Sequence, residues 1–228
     1  MGISDNYAYV KQKIEDTAVS SNRNPGDISI IAVCKTFSAD IVQDAIDNGI
    51  TLLGENKIQE ARNKIPALRG NFSVHLVGHL QSNKAKYAVR LFDCVHSIDK
   101  FSTAQKLNEE AKKAGRTMDI LVQVNTSGES SKFGVSPVET EALCRQIFPL
   151  ENLSLKGLMT IGPNTDNHDS IRRAFRQLRE LRDEINKKTE MQLKDLSMGM
   201  SNDYLIAVEE GATMVRIGSS IFGTRSYT

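Results

Sequence analysis

Residues 28–35 read ISIIAVCK, seven apolar or small residues in succession and then a lysine. Ile and Val are β-branched and favour the pleated conformation. A run this apolar, with no polar alternation, suits a strand covered on both faces, as in a parallel sheet. A lysine at the end of such a strand has two readings. It marks where the strand reaches solvent, the ordinary place for a lysine. Or its amine is desolvated and able to attack a carbonyl to form a Schiff base. Cys34, next to Lys35, should face the opposite way.

Outward from this strand the pattern repeats. An opening helix over residues 5–22 carries Tyr7, Val10, Ile14 and Val19 as its stripe, and Asn24-Pro25-Gly26 breaks it. After the strand, Ser38 is placed to cap a helix with Ile41, Ala45 and Ile46 inward, ending at Asn48-Gly49. Further strands are expected over residues 51–56, 73–80, 94–98, 118–125, 154–161, 194–199 and 214–217. Helices are expected over 57–68, 83–91, 101–114, 136–147, 169–187 and 203–210, with Pro137 in a first turn where its missing N–H costs nothing. The helix over 169–187 has the clearest stripe, Ile171, Phe175, Leu178, Leu181 and Ile185. Its five arginines are interspersed with Glu180, Asp183 and Glu184, which reads as a salt-bridged surface.

Eight strands alternating with helices predict right-handed βαβ units and a parallel sheet. Eight units in about 200 residues lie at the small end of the (β/α)8 TIM barrel range. An open doubly wound sheet would more often carry a Gly-rich first turn, whereas the first strand here ends CKTFS. With no linker, repeat or low-complexity tract, the expectation is a single domain over residues 1–228, a (β/α)8 barrel with one additional N-terminal helix.

Composition narrows the function. The chain has 228 residues, a formal net charge of +1 and 25% charged residues, which argues against a nucleic-acid binder. No apolar run approaches bilayer length, so no membrane association is expected. The polar, acid-containing start MGISDNYAYVKQKIED resembles no secretory or transit signal, which together with three widely spaced cysteines points to the cytoplasm. Cys34, Cys94 and Cys144 read as small buried hydrophobes. His75, His79, His96 and His168 lack the spacing of a zinc motif, so no metal site is expected.

In a (β/α)8 barrel the chemistry gathers at the C-terminal strand ends, and a phosphate is commonly held by the loops after strands seven and eight. Strand one ends at Lys35, strand two at Gly54-Glu55-Asn56, strand three at Gly78-His79, and strand six at Leu158-Met159-Thr160. Strand seven ends SMGMSNDY, in which Gly199 permits close backbone approach, Ser201 offers a hydroxyl and Asp203 begins a helix. Strand eight ends VRIGSSIFG, where Gly218, Ser219 and Ser220 repeat the device and Arg216 adds a fixed cation. A lysine facing a phosphate cradle fits an aldehyde that carries a phosphate. Pyridoxal 5′-phosphate satisfies both, and so does a sugar phosphate handled by a Schiff-base aldolase.

The stretches AVCKTFS, LLGENKIQE, HLVGHLQSNK, VNTSGESSKFG, LKGLMTIGP, LSMGMSNDY and VRIGSSIFGTR, in this order, resemble the YggS/PROSC family of pyridoxal phosphate homeostasis proteins. The resemblance covers about residues 28–222 and implies the barrel of the alanine racemase N-terminal domain. It implies that Lys35 holds pyridoxal 5′-phosphate as a Schiff base and that Ser201, Gly218 and Ser219 hold the phosphate. It places Arg216 near the pyridine nitrogen, Asn56 and Met159 along the ring, and Lys132 where the racemase has an arginine near the phenolic oxygen. One departure is VHLVG in place of the family's frequent WHFIG, a packing detail.

An arginine beside the pyridine nitrogen disfavours its protonation and weakens the ring as an electron sink. A racemase also needs a second acid/base group, which in alanine racemase comes from a separate β domain. Five residues follow Gly223, so no such domain is expected, and His79 is the remaining candidate base. The resemblance therefore implies a cofactor carrier that buffers pyridoxal 5′-phosphate or delivers it to apo-enzymes. The rivals are a weak amino-acid racemase or decarboxylase and the aldolase.

Overall fold

The structure, a computed structural model, describes residues 2–129 and 131–223. The eight strands are β1 (Ser29–Val33), β2 (Leu52–Glu55), β3 (Ser73–Leu76), β4 (Cys94–Ile98), β5 (Met118–Gln123), β6 (Leu153–Met159), β7 (Asp195–Met200) and β8 (Met214–Ile217). They pair in parallel, each with its neighbours in sequence, and β1 closes on β8 through Ser29–Met214, Ile30–Val215, Ile31–Arg216 and Ala32–Ile217. Helix α1 (Ile3–Ser20) precedes the barrel. Around it run α2 (Ala39–Asp47), α3 (Ile58–Lys64), α4 (Ala85–Leu91), α5 (Phe101–Lys113), α6 (Pro137–Ile147), α7 (His168–Lys188), α8 (Tyr204–Glu209) and α9 (Ser219–Phe222). The expected (β/α)8 TIM barrel is the observed one. Among the described residues no helix is long and apolar enough to cross a membrane.

Three differences from the sequence reading have local causes. The strands stop short: the ladder of β1 ends at Val33 and that of β3 at Leu76, and the apolar runs beyond them bend into the loops of the barrel mouth. The helix expected over 57–68 ends at Lys64 and tightens into a 3-10 turn, Ile65–Ala67, because Pro66 has no N–H and its ring crowds the preceding turn. In two stripes a single member is displaced by one position, the rest packing on the core as expected. In α1 the buried residues are Val10, Ile14 and Ala18, while Val19 is 65% exposed. In α2 they are Val42, Ala45 and Ile46, while Ile41 is 39% exposed. Ser38 sits at the N-cap of α2 without a capping bond, whereas Ser136 caps α6 by accepting from the Glu139 amide.

Alternation along each strand sorts the core into two shells. Ala32, Cys34, Leu53, Leu76, Val95, Ile120, Val122, Leu158, Leu196, Val215 and Ile217 face the helices and join one large apolar cluster. Inside the barrel, Ile31, Val33 and Val77 pack on one side and Cys94, Leu121 and Met159 on the other, with Met214 against both. The long helix α7 buries Ile171, Ala174, Phe175, Leu178 and Ile185. Its Arg172, Arg176 and Arg179 converge on the buried Glu210, so the arginines form the salt-bridged face expected of them. All three cysteines are free and buried, and burial raises each thiol pKa.

Candidate functional site

A cavity of about 540 Å³ opens at the C-terminal ends of the strands. Lys35, Asn56, Ser201, Arg216, Gly218 and Ser219 all line it, so the closed barrel gathers residues from strands one, two, seven and eight. Lys35 is not on β1 itself. It occupies the corner of a turn closed by the Phe37 amide donating to the Cys34 carbonyl at 3.3 Å, and it is half-buried. Cys34 turns the other way into the helix-facing core, as strand alternation requires.

Next to β1 in the closed ladder, β8 and then β7 supply the polar turns. Gly199 has φ +90°, and a Cβ there would lie 2.5 Å from that of Ala207, so this turn before Ser201 needs glycine. The Met200 amide donates to Asp203 Oδ1 at 2.5 Å. Burial raises the Asp203 pKa, with the Met200 amide and the Arg216 cation opposing.

Arg216 is 4% exposed. Its Nη1 donates to Ser197 Oγ at 2.6 Å and its Nη2 to the Thr160 carbonyl at 2.8 Å. Burial lowers its pKa to about 10, with Asp203 opposing, so it stays cationic at neutral pH. Ser197 Oγ also lies 2.9 Å from His96 Nδ1, and His96 Nε2 lies 2.9 Å from His75 Nδ1. Because β4 and β7 are not neighbours in the ladder, this chain crosses the barrel interior. One proton assignment satisfies every member. Arginine only donates, so Ser197 accepts from it and donates to His96 Nδ1, leaving the His96 Nε2–H to donate to His75.

The sequence reading missed this chain, since its members sit on four separate strands and only closure brings them together. It also expected no metal-ligating cluster, yet His75, Cys94 and His96 offer atoms within 4.8 Å of one another. The two imidazoles are already joined by their mutual hydrogen bond. The loop between β6 and α7, from Ile161 to Asp166, lines much of the cavity as well; its one sequence signal was the Gly162-Pro163 pair.

Met159 is not brought to the cavity. It is fully buried one layer below, against Cys94 and Leu121, because alternation points its side chain into the closed barrel. His79 stacks on Phe133 with ring centroids 4.0 Å apart, and its Nδ1 lies 3.8 Å from Asp99 Oδ2. Among the described residues that line the cavity, His79 does not appear. Lys132 does line it, and its Nζ donates to Glu129 Oε1 at 2.7 Å and to the Gly162 carbonyl at 2.8 Å. An amine, a buried guanidinium and two Gly/Ser turns around one cavity are the chemistry for an aldehyde that carries an anionic group.

The chain is similar to known proteins along its whole length. The family described as "Alanine racemase, N-terminal domain" matches residues 10–226. The pyridoxal phosphate homeostasis protein of Aquifex aeolicus is 36% identical over 228 residues, covering 100% of both chains. The structure of PipY from Synechococcus elongatus, solved with PLP bound, is 32% identical and superposes with a TM-score of 0.87, over 97% of this chain and 100% of that one. An alanine racemase from Clostridium difficile shares the fold with a TM-score of 0.79 at 17% identity, over 97% of this chain and 57% of the racemase. The chain thus belongs to the pyridoxal phosphate homeostasis proteins, built on the alanine racemase N-terminal domain.

Proposed function

We propose that this protein binds pyridoxal 5′-phosphate reversibly through a Schiff base on Lys35, in the cytoplasm, and buffers the cofactor or delivers it to apo-enzymes. One observation carries the reading: Lys35 shares a single cavity with Ser201, Gly218, Ser219 and the buried Arg216. The residues fit the group. The space is about 540 Å³, and the backbone at Gly218 packs close against β1, where a Cβ would come within 3.3 Å of the Val33 carbonyl. Bound there, the cofactor supplies an aldehyde for the lysine, a phosphate, and a ring whose electron demand rises when its nitrogen is protonated.

This chain's residues then have distinct tasks. Ser201 offers a hydroxyl and Gly218 and Ser219 their backbone to the phosphate, in the same cavity as Lys35. Asn56 orients the ring. Arg216 presents a cation that its hydrogen bonds to Ser197 and Thr160 hold in place, and a cation there opposes a second positive charge on the ring nitrogen. That favours holding the cofactor over carbanion chemistry and supports a carrier rather than a catalyst. Full-length similarity to the pyridoxal phosphate homeostasis proteins supports the same reading.

The test is an absorbance spectrum of the protein with pyridoxal 5′-phosphate before and after borohydride, with peptide mapping of the reduced product. A visible band that borohydride bleaches, with the pyridoxyl group on Lys35 and no band in Lys35→Ala, supports the reading. An unchanged band in Lys35→Ala removes Lys35 from it. Turnover of an amino acid with solvent deuterium entering at Cα would replace the carrier with a racemase.

A further inference from the structure

The turn that presents Lys35 is gripped from behind by α3. The Cys34 carbonyl accepts from Lys64 Nζ at 2.7 Å, and the Thr36 amide donates to Glu60 Oε2 at 3.0 Å. Lys35 lies between those two anchored backbone groups. Glu60 and Lys64 are four residues apart on one helix and therefore share a face. Thr36 adds a bond from its hydroxyl to the Lys35 carbonyl at 2.5 Å.

Two features of this arrangement are expensive for the fold. Lys64 is a buried lysine, its side chain 8% exposed, paired at 2.6 Å with Glu55, whose side chain is 1% exposed. Burying such a pair is often no more stabilising than an apolar replacement of similar volume. Glu55 Oε1 also accepts from the Cys34 thiol at 3.3 Å, while Oε2 has no partner among the described residues. Thr36 has φ +69°. A β-branched residue in the left-handed region costs about 1–2 kcal/mol, and glycine would adopt it freely. Strain and a buried charge thus converge on the backbone either side of one lysine.

We propose that Lys64 and Glu60 are positioning residues for Lys35, holding its backbone so that the amine projects into the cavity. The proposal rests on the reading of Lys35 as the amine that takes the cofactor. Glu55 neutralises Lys64, so the ammonium can be spent on the Cys34 carbonyl. The same β2–α3 segment that carries Asn56 to the cavity thereby also sets the direction of Lys35.

Two probes separate positioning from mere stability. Pyridoxal 5′-phosphate can join the amine; pyridoxine 5′-phosphate, with an alcohol in place of the aldehyde, cannot. In Glu60→Ala, and in Lys64→Met combined with Glu55→Gln so that no carboxylate is left unpaired, pyridoxal 5′-phosphate should bind about tenfold more weakly, the effect of losing one charge-assisted hydrogen bond. Pyridoxine 5′-phosphate should bind within about twofold of the parent in both. Glu60→Gln, which keeps an acceptor for the Thr36 amide, should restore pyridoxal 5′-phosphate binding. Equal losses for both probes, or no loss of pyridoxal 5′-phosphate binding, overturn the proposal. If the double variant does not fold, the Glu60 pair decides alone, since Glu60 is partly exposed. A Lys35→Ala protein that retains the visible band would defeat the reading of the site. Glu60 and Lys64 variants indistinguishable from the parent beside a Lys35→Ala protein that lacks the visible band would defeat only the positioning role.

Discussion

Acidification should weaken the barrel through its interior imidazoles. Burial pushes the His75 pKa down to about 4, with Asp93 and Asp119 opposing only in part. Burial likewise holds His96 well below the ordinary range, with His75 and Arg216 adding to it. Both groups therefore take up protons more readily in the unfolded chain, whose histidines titrate near 6.5. Their stabilising contribution is fully present above that value and is lost as the pH falls, with the His75 share exhausted near 4. From 6.5 to about 4 is about 2.5 units, and at about 1.36 kcal/mol per unit His75 alone costs about 3 kcal/mol. That is a large part of the stability of a typical domain. Asp195 and Asp203 oppose the trend, because burial raises their pKa values and their protonation favours the folded state. The comparison that isolates His75 is with His75→Asn, whose amide oxygen takes the place of Nδ1 and can still accept from the His96 Nε2–H. Urea unfolding between about pH 7 and about pH 4.5 should show a steeper loss in the parent than in the variant, approaching one extra proton taken up on unfolding. Identical slopes in the two proteins, or a His75 ring that titrates near 6.5 by NMR, would refute the reasoning.

Two further outcomes follow from the same geometry. Gly78→Ala would place a Cβ 2.1 Å from the Asn56 carbonyl oxygen; it should destabilise the protein by about 3 kcal/mol in thermal unfolding and weaken cofactor binding by displacing Asn56. Arg216→Gln removes the cavity's buried cation and should weaken retention of pyridoxal 5′-phosphate by about tenfold or more in equilibrium dialysis; unchanged affinity would mean that Arg216 does not face the bound cofactor.

What was legible in the sequence was what short-range physics controls. Unbroken apolar runs such as residues 28–34 marked strands buried on both sides, their alternation with amphipathic helices marked parallel βαβ units, and the count of eight marked a barrel. Once that closure was assumed, strand ends converged, and Lys35, Asn56, Ser201, Arg216, Gly218 and Ser219 could be assigned to one cavity. Ala18 and Val42 were not picked out, because a helical stripe is broad and only packing decides which of two adjacent residues faces in.

Tertiary structure decided everything that depends on which side of a strand a residue occupies and on what lies across the barrel. Met159 has the right position in sequence to line the cavity, yet alternation buries it one layer down. His75, His96, Ser197 and Arg216 carry no mutual spacing in the sequence and form one chain only because strands distant in order face the same interior. The grip of Lys64 and Glu60 on the Lys35 turn likewise spans about thirty residues of chain, joining a helix to the strand end behind which it packs. Local pattern names the elements and marks the reactive groups. Closing the sheet into a barrel, which sets inward against outward for every strand at once, determines which of those groups meet.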